Sequence, residues 1–187
     1  MGTTTMTTYV GVDVVSKDFN TAPEDARYDL IEPSIVAAEE LINEYCARNF
    51  GQKGTADVPD VREFNVQDCV SELYIGDYVS LSSVETREDV DDDWEEVDFS
   101  TRPQKTTVND ITPFYRIVVD EPFPTHSRID TVRVSGIFGW PMVPKAIEQA
   151  TRLQAGVIFS LMSQGKGMGG LHPSVKELID IFRMIRL

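Results

Sequence analysis

The sequence predicts an α+β protein: a small helical bundle, built from an N-terminal helix and two C-terminal helices, with an antiparallel β-rich middle region. Three observations carry that expectation. Apolar residues recur at helical spacing near both ends of the chain, and they alternate with polar ones through much of residues 58–140. Between these regimes, residues 132–144 read Val-Arg-Val-Ser-Gly-Ile-Phe-Gly-Trp-Pro-Met-Val-Pro, a strand handing over to a helix through a rigid corner. Gly136 and Gly139 permit backbone angles closed to other residues, and Trp140 brings a large apolar ring to the junction. Pro141 and Pro144 fix φ, with Pro144 expected in the first helical turn, where a missing N–H is harmless.

In chain order, the 187 residues are expected to form one domain: a flexible arm over 1–20, a helical segment over 21–51, a β-rich insertion over 58–140 and a helical region over 143–187. The arm is Thr-rich, and the alternation of Tyr9 to Val15 suggests a short extended piece. Thr21-Ala-Pro-Glu24 has the pattern of a capping box, so a helix is expected to start there and to be interrupted or kinked by Pro33. From Pro33 to Phe50, Ile35, Ala38, Leu41, Ile42 and Tyr45 form one stripe, with Gly51 as the stop. Strands are expected at Arg62–Val66, Tyr78–Thr86, Trp94–Phe99, Phe114–Asp120 and Thr131–Phe138. Their short connections favour an antiparallel meander, with Pro103, Pro113, Pro122 and Pro124 lying between strands. Helix returns with Val143, Ile147, Ala150, Leu153, Val157 and Leu161 on one stripe, and residues 157–162 are apolar nearly all round. The glycine-rich run 165–170 reads as a hinge before a last helix from Pro173 to about Met184, carrying Val175, Leu178, Ile179 and Phe182 on one face.

Composition narrows the function. Hydrophobic residues at 41% and charged ones at 26% are ordinary for a soluble globular protein. No apolar run approaches the roughly 20 residues that span a bilayer, and residues 1–8 lack the features of a signal peptide or a myristoylation site. A soluble protein made and used in the cytosol is the expectation. The net charge of −14 disfavours adhesion to nucleic-acid backbones or anionic lipid. It does not exclude a place beside DNA, because a wall that repels phosphate lets a duplex pass.

Motifs for chemistry are scarce. Eight acids crowd into residues 88–98, but neither Asp89 nor Asp91 starts a calcium loop with the required glycine and glutamate; the run reads as a solvated hairpin tip. His126 and His172 lie in Pro- or Gly-rich connections without a partner pattern, and Cys46 and Cys69 are too few for a metal cluster or disulfide scaffold. Nucleophile-elbow, zincin and P-loop patterns are absent from the sequence. No catalytic residue, metal site or cofactor is assigned, and an enzyme is not expected.

Several stretches together resemble the head–tail connector (adaptor) family of tailed bacteriophages: the helix ending Ala37-Ala-Glu-Glu-Leu-Ile-Asn-Glu-Tyr-Cys-Ala-Arg-Asn-Phe50, the acidic hairpin closed by Trp94, Pro113-Phe-Tyr-Arg-Ile117, the Phe-Gly-Trp-Pro corner, Ala150-Thr-Arg-Leu-Gln-Ala155, and Gly169 to Leu178. The resemblance covers nearly everything after residue 20. It implies a structural virion protein of the head–tail junction, present in host cytoplasm during assembly. Such a protein forms a homo-oligomeric ring, generally a dodecamer, that joins portal protein to a downstream neck or tail protein and lets DNA pass without specific binding. The surplus of apolar helical surface suits such a ring, so Val157, Ile158, Leu161, Leu178, Ile181 and Phe182 are the expected oligomer or portal interface. Alternatives are another neck or tail-completion protein, or an acidic DNA-mimic inhibitor, although the acids here concentrate in one hairpin rather than spacing themselves like phosphates.

Overall fold

The computed structural model describes residues 8–103, 112–167 and 169–184. The chain is mixed α+β and divides into two compact units, residues 1–51 with 143–187 and residues 52–142.

The first unit is helical. Its α1 (Val12–Asp18) replaces the extended piece expected over Tyr9–Val15. The valines that alternate like a strand also place Val12 and Val15 one helical turn apart; Val15 is buried, and the Gly11 carbonyl accepts the Val14 and Val15 amides. No helix starts at Thr21 either. Residues 28–30 form a 3-10 turn that runs into α2 (Ile31–Cys46), so Pro33 sits in the first turn and neither kinks nor ends the helix. The stop comes early, at Ala47, which takes a left-handed φ of 51° before Gly51 is reached. α2 buries Ile31, Ser34, Ile35, Ala38, Ile42 and Cys46 along one side.

α3 (Lys145–Ser163) packs along α2, with α4 (Pro173–Ile179) against both. Pro144 is the N-cap rather than a first-turn residue, and its carbonyl accepts the Ile147 and Glu148 amides. The buried stripe of α3 differs from the expected one: Ile147, Ala150, Thr151, Gln154, Ala155, Ile158 and Phe159 are inside, whereas Leu153 is 49% exposed. Two polar residues on the inner face disguised it. The Thr151 hydroxyl donates to the Ile147 carbonyl, and the buried Gln154 amide accepts from His172 N–H at 2.9 Å and donates to the Gly170 carbonyl at 3.3 Å. Gln154 thereby ties the connection before α4 to α3, satisfying a buried polar group as its environment demands. α4 is shorter than expected and passes into a 3-10 turn at Asp180–Phe182.

The second unit is an antiparallel sheet of β1 (Asp60–Phe64), β2 (Glu72–Thr86), β3 (Glu95–Glu96), β4 (Ser100–Arg102), β5 (Phe114–Val118) and β6 (Val132–Phe138). The order is β1-β6-β2-β5-β4, with β3 paired to the end of β2. This corrects the expected meander: the last strand lies between the first two. The burial pattern of β6 explains its central place, since Val132, Val134, Gly136 and Phe138 are buried in strict alternation, whereas in β1 no residue is fully enclosed. Around β6 the core gathers Ile75, Tyr78, Val84, Ile117, Val119 and Phe123.

Gly136 sits where its strand passes close to the β2 backbone. A Cβ there would lie 2.4 Å from the Ser80 carbonyl oxygen and 2.9 Å from Leu81 Cα, both backbone atoms that cannot swing aside. Gly136→Ala is therefore expected to destabilise the protein by about 2 kcal/mol or more, read as a lowered urea midpoint at unchanged slope.

Candidate assembly surface

The Trp140 corner proves to be a structural device of the sheet unit. Trp140 is 5% exposed, and its indole N–H donates to Asp77 Oδ2 at 2.9 Å. The Asp77 carbonyl accepts the Gly139 amide at 2.7 Å, where Gly139 holds a φ of 98° that favours glycine. Gln52 Nε2 donates to the Pro141 carbonyl at 3.0 Å, closing the far side. Pro141 keeps the bend outside the sheet, and Pro144 then caps α3. Asp77 was not singled out from the sequence. Its signal is a lone acid in the otherwise apolar run Ile75–Val79, which two-residue alternation alone does not flag.

The six expected interface residues do not share one exposed face. Ile158 is completely enclosed within the helical unit. Val157, Leu161, Leu178 and Phe182 are half-buried, and the Phe182 ring stands edge-on to Phe50 at 5.8 Å. Ile181, by contrast, is 83% exposed. Leu153 is the second outward apolar side chain of this unit's described residues with substantial exposure, and it borders a shallow groove of about 600 Å³ that also includes Asp18, Phe19, Lys145, Glu148 and Arg152. The groove floor is well fixed. Phe19 stacks on Phe159 at 4.6 Å, and Arg152 grips Asp18 through two bonds of 2.7 and 2.8 Å, holding that carboxyl below its ordinary range.

In the sheet unit, the acidic run forms the exposed tip between β2 and β3. Glu88, Asp92, Asp93, Glu95 and Asp98 face an open concavity of about 790 Å³, joined from the other wall by Asp120. Among the described residues no group of His, Cys, Asp or Glu is arranged to hold a metal ion. The tip is pinned by Trp94, whose ring lies 4.3 Å from the Arg87 guanidinium and 4.6 Å from that of Arg133. Arg133 also makes paired bonds of 2.6 and 2.9 Å to Glu85, which lower the Glu85 carboxyl, and Arg87 Nε donates to the Asp130 carbonyl at 3.0 Å. Two cations on one ring thus hold down a segment that self-repulsion would otherwise lift away.

Both histidines serve local turns, accepting backbone amides: His126 Nδ1 from Arg128, and His172 Nδ1 from Ser174 at the start of α4. Cys46 is buried and Cys69 exposed, both as free thiols, and burial pushes the Cys46 thiol up to about 11. Among the described residues, no helix is long and apolar enough to cross a membrane.

The fold is similar to that of a chain in a solved structure described as "Neck of empty GTA particle computed with C6 symmetry", GTA denoting gene transfer agent; the TM-score is 0.65 at 15% identity, over 96% of this chain and 91% of that one. A chain of "Neck of native GTA particle computed with C12 symmetry" aligns at 16% identity over 97% and 95%, with a TM-score of 0.49. No protein-family model and no curated protein sequence matches the chain.

The enclosure of Ile158 distinguishes core from surface. Ile158→Asp places an unpaired charge in the helical core and is expected to cost about 4 kcal/mol or more, seen as loss of the cooperative melting transition before any effect on assembly can be read.

Proposed function

We propose that this protein is a structural subunit of a phage-like particle neck, which assembles as a homo-oligomeric ring between portal protein and a downstream neck or tail component. The observation that carries this reading is the fold shared with the GTA neck chain over nearly the full length of both proteins. That neck was computed with sixfold symmetry, and a sixfold axis accommodates a ring of twelve, the number expected from the adaptor resemblance. Among the described residues no group of His, Cys, Asp or Glu is arranged to hold a metal ion, and both histidines accept local backbone amides; a structural role requires neither.

In this reading the ring extends the DNA channel, and the chain's −14 net charge keeps passing DNA from adhering. Contacts around the ring are heterologous, each subunit giving one surface and receiving a different one. Ile181 and Leu153 are the side chains of the helical unit best placed to contribute, because they are apolar and outward. Val157, Leu161, Leu178 and Phe182 would add only their exposed edges, and Ile158 acts behind them as support.

Electron microscopy of the purified protein with its portal protein tests the function. A ring stacked on the portal is expected; a particle that remains monomeric and ignores the portal would overturn it, and binding only to isolated tails would favour a tail-completion role. The interface assignment has its own test. Ile181→Asp is expected to leave the melting temperature within about 2 °C of the unmodified protein, as exposed substitutions do, while native mass spectrometry shows the ring lost.

A further inference from the structure

The N-terminal segment leading into α1 is fastened to the helical unit at Tyr9 and Val10, both buried, with Tyr9 carrying the hydrogen bonds. Its ring is buried and stands edge-on to Phe50 at 6.2 Å. Its hydroxyl donates toward Asn43 Oδ1 at 2.8 Å, with Asn49 Oδ1 at 3.2 Å, and accepts the Phe50 amide at 2.9 Å. Its own backbone N–H donates to Glu39 Oε1 at 2.5 Å. Glu39 lies on α2, partly enclosed, and among the described residues no cation is paired with it. The ionisable group facing it is the Tyr9 phenol; the flanking acids Glu40 and Glu44 on the same helix are exposed.

A carboxyl placed this way is in conflict with itself. As a neutral acid it still offers an oxygen to the Tyr9 amide and loses far less by enclosure than the charged form does. As a carboxylate it makes a stronger bond to that amide but is stripped of water without a compensating positive charge, and burial is the larger effect. We propose that Glu39 and Tyr9 form a proton-controlled latch, in which a neutral Glu39 keeps the N-terminal strap closed on α2 and ionisation releases it. Opening would uncover Phe50, the ring that also receives Phe182 from the C-terminal segment, so the latch links the two ends of the chain within the helical unit.

The direction in pH follows from enclosing a carboxyl that has no cation beside it among the described residues, an effect the Tyr9 amide opposes in part. Burial raises the Glu39 carboxyl from its ordinary value near 4.5 to about 7 in the closed state. The closed strap therefore binds the proton more tightly than the open one, and closure is favoured in acid and weakens as pH rises toward and past neutrality. Part of the carboxyl still touches water, which moderates the effect. Between about pH 6 and about pH 8.5 the open population is expected to rise about fivefold.

Hydrogen exchange of the full chain, followed at the Tyr9 and Val10 amides and corrected for intrinsic rate, reads this directly. Exchange at those two amides should accelerate about fivefold across that range, while amides in the middle of α3 stay constant. Glu39→Gln, which keeps an acceptor oxygen but carries no charge, should leave the strap closed and flat in pH. Tyr9→Phe, which retains the ring and loses the hydroxyl bonds, should raise exchange of Val10 throughout while keeping the pH slope. A wild-type strap whose corrected exchange does not change with pH, or a Glu39→Gln protein that retains the full slope, would overturn the latch.

Discussion

The helical unit depends on a contact that the chain cannot make locally. α2 and α3 bury their inner stripes against each other, yet the whole of residues 52–142 lies between the sequences that supply them. Bringing such distant segments together costs loop-closure entropy, which grows only slowly with loop length. Folding the intervening residues into a sheet with its own core reduces that cost further, since a compact insert has few conformations left to lose. The consequence is a division of labour in the sequence. Ile35, Ala38 and Ile42 await Ile147, Ala150 and Ile158, while Val132, Val134 and Phe138 complete a core that belongs wholly to the insert.

Several stabilising contacts in the described structure join a cation to an aromatic ring or to an acid rather than burying a charge outright. Arg87 and Arg133 flank Trp94, Arg152 closes on Asp18, and Lys176 and Arg183 lie near the half-buried Tyr45 ring, whose hydroxyl donates to Asp180. In a chain with 31 acids and 17 Lys and Arg residues, these positions use scarce positive charge where it ties one segment to another. Each exposed pair is worth little alone, but two guanidinium groups on one indole act together.

Much of this was legible in the sequence, and the failures have common causes. The strands ending at Val118 and Phe138 were found because alternation survives wherever one face is buried, as at Val132, Val134 and Phe138, whereas β4 and the first half of β2 were missed and β3 is shorter than expected. Strand order was not found, because nothing local tells β6 to enter between β1 and β2; that choice is made by which strand can bury a whole face. The helical misreadings arise where polar or β-branched residues sit at unexpected places. Gln154 and Thr151 occupy the inner face of α3 with their hydrogen bonds met internally, so the apolar stripe pointed outward to Leu153 instead. Val12 to Val15 alternate like a strand but are wound by α1. For the candidate surface, the sequence pointed to helices rich in apolar side chains without separating Ile158, which the fold encloses, from Ile181, which it leaves bare. The Tyr9–Glu39 contact spans thirty positions and has no local pattern to announce it.

Both tryptophans of this protein, Trp94 and Trp140, fall in the sheet unit. One stands half-exposed beneath two guanidinium groups, and the other is sealed against Asp77. Indole emission therefore originates in the insert. Paired with far-ultraviolet circular dichroism, whose signal the helices dominate, it gives two optical channels that address the two units separately, so whether they melt as one or in sequence can be seen without adding a label.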